Sequence, residues 1–126
     1  MSVTWKYIKP LKKKAVVKDF LANNHIVLPA KLLRILENNN GGRPSDKTII
    51  TDTKREYVFK SLLSFNSDDK EYIAKFYNRR FIENCLFPVG SDAAGNFVCY
   101  NTKTHGFVLY NHETDKTEKI VKMAFL

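Results

Sequence analysis

The chain predicts an α+β fold, a twisted, largely antiparallel sheet with helices packed against it, and three observations carry that reading. Apolar residues recur at helical spacing twice near the start, at Val16, Val17, Phe20 and Leu21 and again at Leu32, Leu33, Ile35 and Leu36. Short runs of β-branched and aromatic residues, punctuated by turn residues, fill most of the chain beyond Lys47. A third helical stripe, Tyr72, Ile73, Phe76 and Tyr77, is inserted among those runs. Two helices ahead of strands that end in a meander, with one helix inserted, is an α+β order.

The first helix carries its stripe from Val16 to Leu21, with Lys14 and Lys18 projecting away from it. Ile26-Val27-Leu28-Pro29 is an extended approach to a second helix over Lys31 to Glu37. Pro29 falls in the first turn, where a missing N–H costs nothing, and Gly41 falls just past the last apolar residue, where a left-handed cap is wanted. Lys47 to Asp52 and Glu56 to Phe59 read as a hairpin around Thr53-Lys54-Arg55. Asp68 with Glu71 three residues on is a capping box for the third helix, and Arg79-Arg80 at its far end complements the helix dipole. Strands are then expected around Leu86 to Val89, Phe97 to Tyr100, Gly106 to Tyr110 and Glu118 to Ala124. The turns between them are Asp92 to Asn96, Thr102 to His105 and His112 to Lys116.

A helix ending at Phe20, the run Ile26-Val27-Leu28-Pro29, a second helix and Asn40-Gly41-Gly42-Arg43-Pro44 resemble the opening of the SUKH superfamily, which contains bacterial toxin-immunity proteins and yeast cell-wall-assembly regulators. Leu86-Phe87-Pro88-Val89-Gly90 followed by Asp92 to Tyr100 is similar to the family's strand, D-x-x-G-x turn and strand, and Trp5 is placed like a tryptophan often seen near the start. There are departures. Leu21 stands where members often carry glutamate, His25 where they often carry glycine, and only Phe125 and Leu126 follow the last strand where a terminal helix is usual. The resemblance implies one SUKH-like domain over residues 1–126, with Trp5, Leu28, Pro29, Asn40, Gly41, Gly42, Pro44, Asp92 and Gly95 as its structural motif residues. It also implies a non-catalytic binding protein, an immunity protein whose partner is a cognate bacterial toxin; the alternative within the family is a regulatory protein-interaction module.

Composition sets the bounds. At 126 residues with 44% apolar content, nine Phe and six Tyr, the chain buries a core without metal or disulfide help. No apolar run approaches the roughly 20 residues of a membrane span, and the start lacks a secretory pattern, so no membrane partner and a cytoplasmic address are expected. Cys85 and Cys99 lie in apolar, strand-like settings and are expected to stay reduced there. Of the net charge of +8, residues 1–34 hold eight Lys/Arg against Asp19 alone, giving +7, and the remainder holds thirteen against twelve, giving +1.

The chemistry-bearing residues do not assemble into a reactive set. His112-Glu113 has Lys116 where a second histidine would stand, and the Asp92 to Asn96 turn lacks the alternating oxygens and closing glutamate of a calcium loop. No nucleophile elbow or phosphate loop occurs. The expectation is no enzyme, no catalytic residue, no metal and no cofactor. Lys9, Lys12, Lys13, Lys14 and Lys18 beside Trp5 and Tyr7 form the mixture that binds nucleic acid. With no nucleic-acid motif present, nucleic acid is the lesser reading. For a protein partner the candidates are Lys12, Lys13, Lys14 and Lys18 for steering, and Tyr100 and Tyr110 as aromatic anchors. Phe125 and Leu126, apolar and terminal, are expected to be closed off by homodimerisation, by the partner or by residues beyond this chain.

Overall fold

In the computed structural model, which describes residues 3–125, the elements run β1 (Trp5–Lys6), α1 (Val16–Asn23), α2 (Ala30–Asn38), β2 (Arg43–Pro44), β3 (Thr48–Thr51), β4 (Glu56–Leu62), a 3₁₀ turn (Ile73–Lys75), α3 (Arg79–Glu83), β5 (Leu86–Asp92), β6 (Phe97–Asn101), β7 (Phe107–Tyr110) and β8 (Thr117–Lys122). The α+β reading holds. Pro29 stands one residue ahead of α2 with φ −57° and ψ 145°, so it delivers an extended chain to the helix and Ala30 opens the first turn. Gly41 takes φ +67°, and the Gly42 N–H donates to the Asn39 carbonyl at 2.7 Å, closing a turn whose third residue is left-handed.

That turn delivers Asn40 into the interior. Its amide nitrogen donates to the Lys9 carbonyl at 2.9 Å and to Ser64 Oγ at 3.1 Å, while its oxygen accepts from the Phe65 N–H at 2.8 Å. One buried amide thereby ties the N-terminal segment to the chain leaving β4. Pro44 pairs with Trp5 in the small β1–β2 ribbon.

The helix expected from Asp68 to Tyr77 does not form. Ser64 takes up the backbone that such a helix would need: its N–H donates to the Glu71 carbonyl at 2.9 Å, and its carbonyl accepts from the Ile73 N–H at 2.8 Å. This parallel bridge holds Tyr72 extended at ψ 124°, leaving a single 3₁₀ turn after it. Asp68 pairs with Lys12, and it is Asp69 that accepts from the Glu71 N–H at 3.0 Å. The real helix start lies later, where the Asn78 side chain accepts from the N–H groups of Arg80 and Phe81. Arg79 and Arg80 therefore open α3 instead of ending a helix; Arg79 pairs with Glu83, and Arg80 reaches across to Asp115, each at 2.8 Å.

The six strands β3 to β8 are antiparallel neighbours in chain order, and β3 also pairs with β8, so the expected sheet closes into a barrel. Register shifts at Ile50/Thr51, Phe59/Ser61 and Pro88/Gly90 supply the bends that closure requires. Val17 and Leu21 of α1, Leu28, and Leu32 and Leu36 of α2 join Ile49, Phe59, Phe87, Val89, Val98, Leu109 and Ile120 in one core. A second cluster, Phe81, Leu86, Cys99 and Tyr110, sits beneath α3 on the other side of the strands. Both faces of β5 are thus covered, and all seven of its residues are buried.

Phe125 is 4% exposed, packed on Phe59, Phe107 and Trp5 at centroid distances of 5.4, 6.0 and 5.6 Å. The apolar end expected to be closed by homodimerisation, by a partner or by residues beyond this chain is covered, at Phe125, by the chain itself; Leu126 lies outside the described residues.

Candidate partner-binding surface

On β3, Ile49 and Thr51 point inward and are buried while Thr48 and Ile50 are half-exposed. On β4, Phe59 is buried and Val58 is 52% exposed; on β8, Ile120 is buried and Val121 is 49% exposed. Strand alternation places one set in the core and leaves the other on the outer side of β8–β3–β4. The register keeps the outer residues together: Thr48 faces Val58, and Ile50 faces Glu56 on one side and Lys122 on the other. Lys60, Lys119 and Lys122 are exposed around this apolar strip. Lys60 pairs with Glu71 at 2.9 Å, whereas Lys119 and Lys122 make no ion pair among the described residues. The result is an uncovered outer face of the barrel with an apolar centre and a rim that carries Lys60, Lys119 and Lys122, with Glu56 beside them.

A polar clamp fixes one end of it. Glu118 accepts from Thr51 Oγ1 at 2.9 Å, from Tyr57 Oη at 2.6 Å and from Thr53 Oγ1, so a single carboxylate on β8 ties down the β3–β4 hairpin. Partial burial pushes the Glu118 carboxyl upward, but the three hydroxyls and the nearby Arg55 charge outweigh it and hold the group below its ordinary value. The same hydrogen bond raises the Tyr57 phenol.

Tyr100 and Tyr110, expected as partner-facing anchors, are 2% and 5% exposed. Their rings are core, and only their hydroxyls reach the surface region, where Tyr100 meets His105 Nδ1 at 3.1 Å and Tyr110 donates to Asp115. Buried rings leave no contact area for an anchor: Phe81 packs on Tyr110 at a centroid distance of 5.1 Å, and Phe107 on Tyr100 at 5.5 Å.

The N-terminal lysines are exposed but not equally free. Lys12 pairs with Asp68, and Lys9 with Asp69 at 3.0 Å. Lys13, Lys14 and Lys18 make no ion pair among the described residues; Lys18 lies on α1, whose Val17 and Leu21 face the core, and Lys13 and Lys14 stand just ahead of that helix.

The structural motif residues take local roles. Leu28 is in the core, Trp5 is half-buried against Phe125, and Asp92 accepts from the N–H groups of Ala94 and Asn96 at 3.0 and 2.7 Å with Gly95 at φ +87°. Both thiols are free; burial pushes Cys99 far up, away from a reactive thiolate. No three of His, Cys, Asp and Glu converge as a metal cluster among the described residues. No helix is long and apolar enough to cross a membrane among those residues.

The family model described as SMI1-KNR4 cell-wall, SUKH_6, matches residues 17–125. The chain belongs to the SUKH family. Comparison with curated proteins and with solved structures returned no match. The match spans α1 from its second residue, α2, α3 and the whole of the SUKH barrel, including β3, β4 and β8. Val58, Val121 and Lys119, the residues that define this face, carried no sequence signal of their own. Strand alternation marks them as outward, but only the barrel's covering elements reveal which outward residues stay bare.

Proposed function

We propose that this SUKH protein is a non-catalytic immunity protein of the bacterial cytoplasm that binds a cognate toxin and blocks it. Family membership supports a binding role, and the observation that carries the reading is the bare β8–β3–β4 face with its apolar strip and unpaired Lys119 and Lys122. An interface of this kind works through a desolvated apolar centre with a charged rim that steers encounter. Its cationic rim calls for an acidic patch on the toxin. The test is co-expression with any toxin-like protein that is encoded beside this chain's gene. Growth should be restored by the wild type and lost again with Val58→Asp or Lys119→Glu/Lys122→Glu, with folded protein verified by circular dichroism. Rescue that is indifferent to both variants would remove this face from the mechanism, and no rescue by wild type would remove the immunity reading.

The regulatory-module reading predicts binding to a host protein without toxin rescue. The nucleic-acid reading is weakened by Lys9 and Lys12, which Asp69 and Asp68 already engage. It predicts tight, salt-sensitive binding to mixed-sequence RNA or DNA.

A further inference from the structure

The outer side of β5 carries a polar atom that the fold leaves without a use. Ser91 is 9% exposed, and its Oγ is sealed from solvent with no hydrogen-bond partner among the described residues. It faces Phe97 in the β5–β6 register, so the two side chains share a side of the sheet. A cleft of about 570 Å³ opens over them, lined by Lys60, Leu63, Phe76, Ser91, Ala93 and Phe97. Phe76 and Phe97 form one aromatic wall, their centroids 5.5 Å apart.

The electrostatics of the cleft are balanced. Lys60 and Glu71 at its mouth neutralise each other at 2.9 Å, and the Asp92 carboxylate is consumed by Ala94 and Asn96. An anion or cation gains nothing there; a neutral ring gains aromatic contact, and a ring with one polar edge also gains the Ser91 hydroxyl. The cleft adjoins the bare face, because the Ala93 N–H donates to the Val58 carbonyl at 2.8 Å.

We propose that this cleft receives an aromatic side chain with a polar tip, a tyrosine or tryptophan, from the protein that docks on β8–β3–β4. The inference rests on the protein-binding reading of that face. The ring enters along Phe97 as Phe76, carried by a single 3₁₀ turn, swings aside, and its O–H or N–H pairs with Ser91 Oγ. A buried hydroxyl left unpaired in the free protein is costly, so satisfying it on binding is selective. Aromatic anchors in such pockets dominate protein interfaces.

The probes are N-acetyltyrosinamide and N-acetylphenylalaninamide, titrated into the full chain and followed by amide chemical shifts. Shifts should centre on Ser91, Ala93 and Phe97, with the tyrosine amide favoured by roughly fivefold, the worth of one net hydrogen bond. Ser91→Ala should erase that preference without lowering the melting temperature. Equal binding of the two probes, shifts elsewhere, no shifts, or a clearly less stable Ser91→Ala protein would each overturn the proposal. With a toxin in hand, Ala93→Trp, which fills the cleft mouth, should weaken binding at least tenfold. Toxin binding untouched by Ala93→Trp would sink the cleft and spare the interface. Probe binding in the cleft with no toxin binding would do the reverse.

Discussion

Gly90 illustrates how closely the barrel is packed at single residues. A Cβ built there would stand 2.6 Å from Phe59 Cζ and 2.9 Å from the Ser61 carbonyl oxygen. Gly90→Ala should therefore destabilise by about 1–3 kcal/mol, read from chemical denaturation, because neither neighbour has room to yield. Gly41 is constrained by conformation instead: at φ +67°, with Lys9 Cδ 3.2 Å from the added carbon, Gly41→Val should cost roughly 1 kcal/mol or more. Stability unchanged in both variants would mean that the turns and strands relax more freely than their contacts imply. Glu118 sets a pH dependence at the same scale. Its folded-state pKa is depressed, so its contribution is fully present above the ordinary carboxylate range of about 4 and is lost as pH falls through the folded value. Asp68, held down first by its hydrogen bond with Lys12, and Asp69, where the Glu71 N–H and Lys9 overcome partial burial, have the same sign. Glu118→Gln should thus lower stability near neutrality and flatten its decline below about pH 4. Parallel wild-type and Glu118→Gln profiles in that window would contradict the clamp.

Among the elements, α3 depends on its start. Asn78→Ala removes the acceptor for two otherwise orphaned N–H groups and should cost about 1 kcal/mol, with the loss concentrated in the amide-exchange protection of α3 and the Phe81 cluster. The elements also show what sequence can carry. α1, α2 and the β3–β4 hairpin were legible because their signals are local: stripes of helical period, and Gly41 and Thr53-Lys54-Arg55 as punctuation. The stripe from Tyr72 to Tyr77 had the same period but a distant competitor, since Ser64 captures the backbone of Glu71 and Ile73. Nothing near Asp68 announces that. The β3–β8 pairing was hidden for a similar reason, being a contact between the first and last strands of the ring in chain order. The candidate surface was less legible still. Tyr100 and Tyr110 looked like anchors by residue type, whereas exposure is decided by where α3 and the helices lie. The Ser91 cleft depends on the register shift at Pro88/Gly90 that turns Ser91 toward Phe97.

For the whole molecule, the uneven charge of the chain is partly spent internally. Lys9 and Lys12 fasten the N-terminal segment to Asp69 and Asp68, which leaves Lys119 and Lys122 beside the apolar strip as the cations best placed to steer an acidic partner. Reversing Lys119 and Lys122 should slow association several-fold at low salt, and the difference should fade as exposed charges are screened within about 10 Å at 0.1 M. Reversing Lys13, Lys14 and Lys18 should change the on-rate much less; the opposite ranking, measured by stopped flow, would move the contact to the α1 side. The β3–β8 pairing reaches further than stability. A ring of six strands presents no row of unpaired N–H and C=O groups along its length, so the barrel offers no template onto which an extended segment could add as a seventh strand. Whatever docks on the barrel face must therefore be read through side chains, which makes specificity there a matter of a few outward positions that can change without disturbing a single rung of the ladder. The same closure denies identical copies a route to stack edge to edge, so those positions can become more apolar to suit a new partner at less risk of aggregation than an open sheet would run.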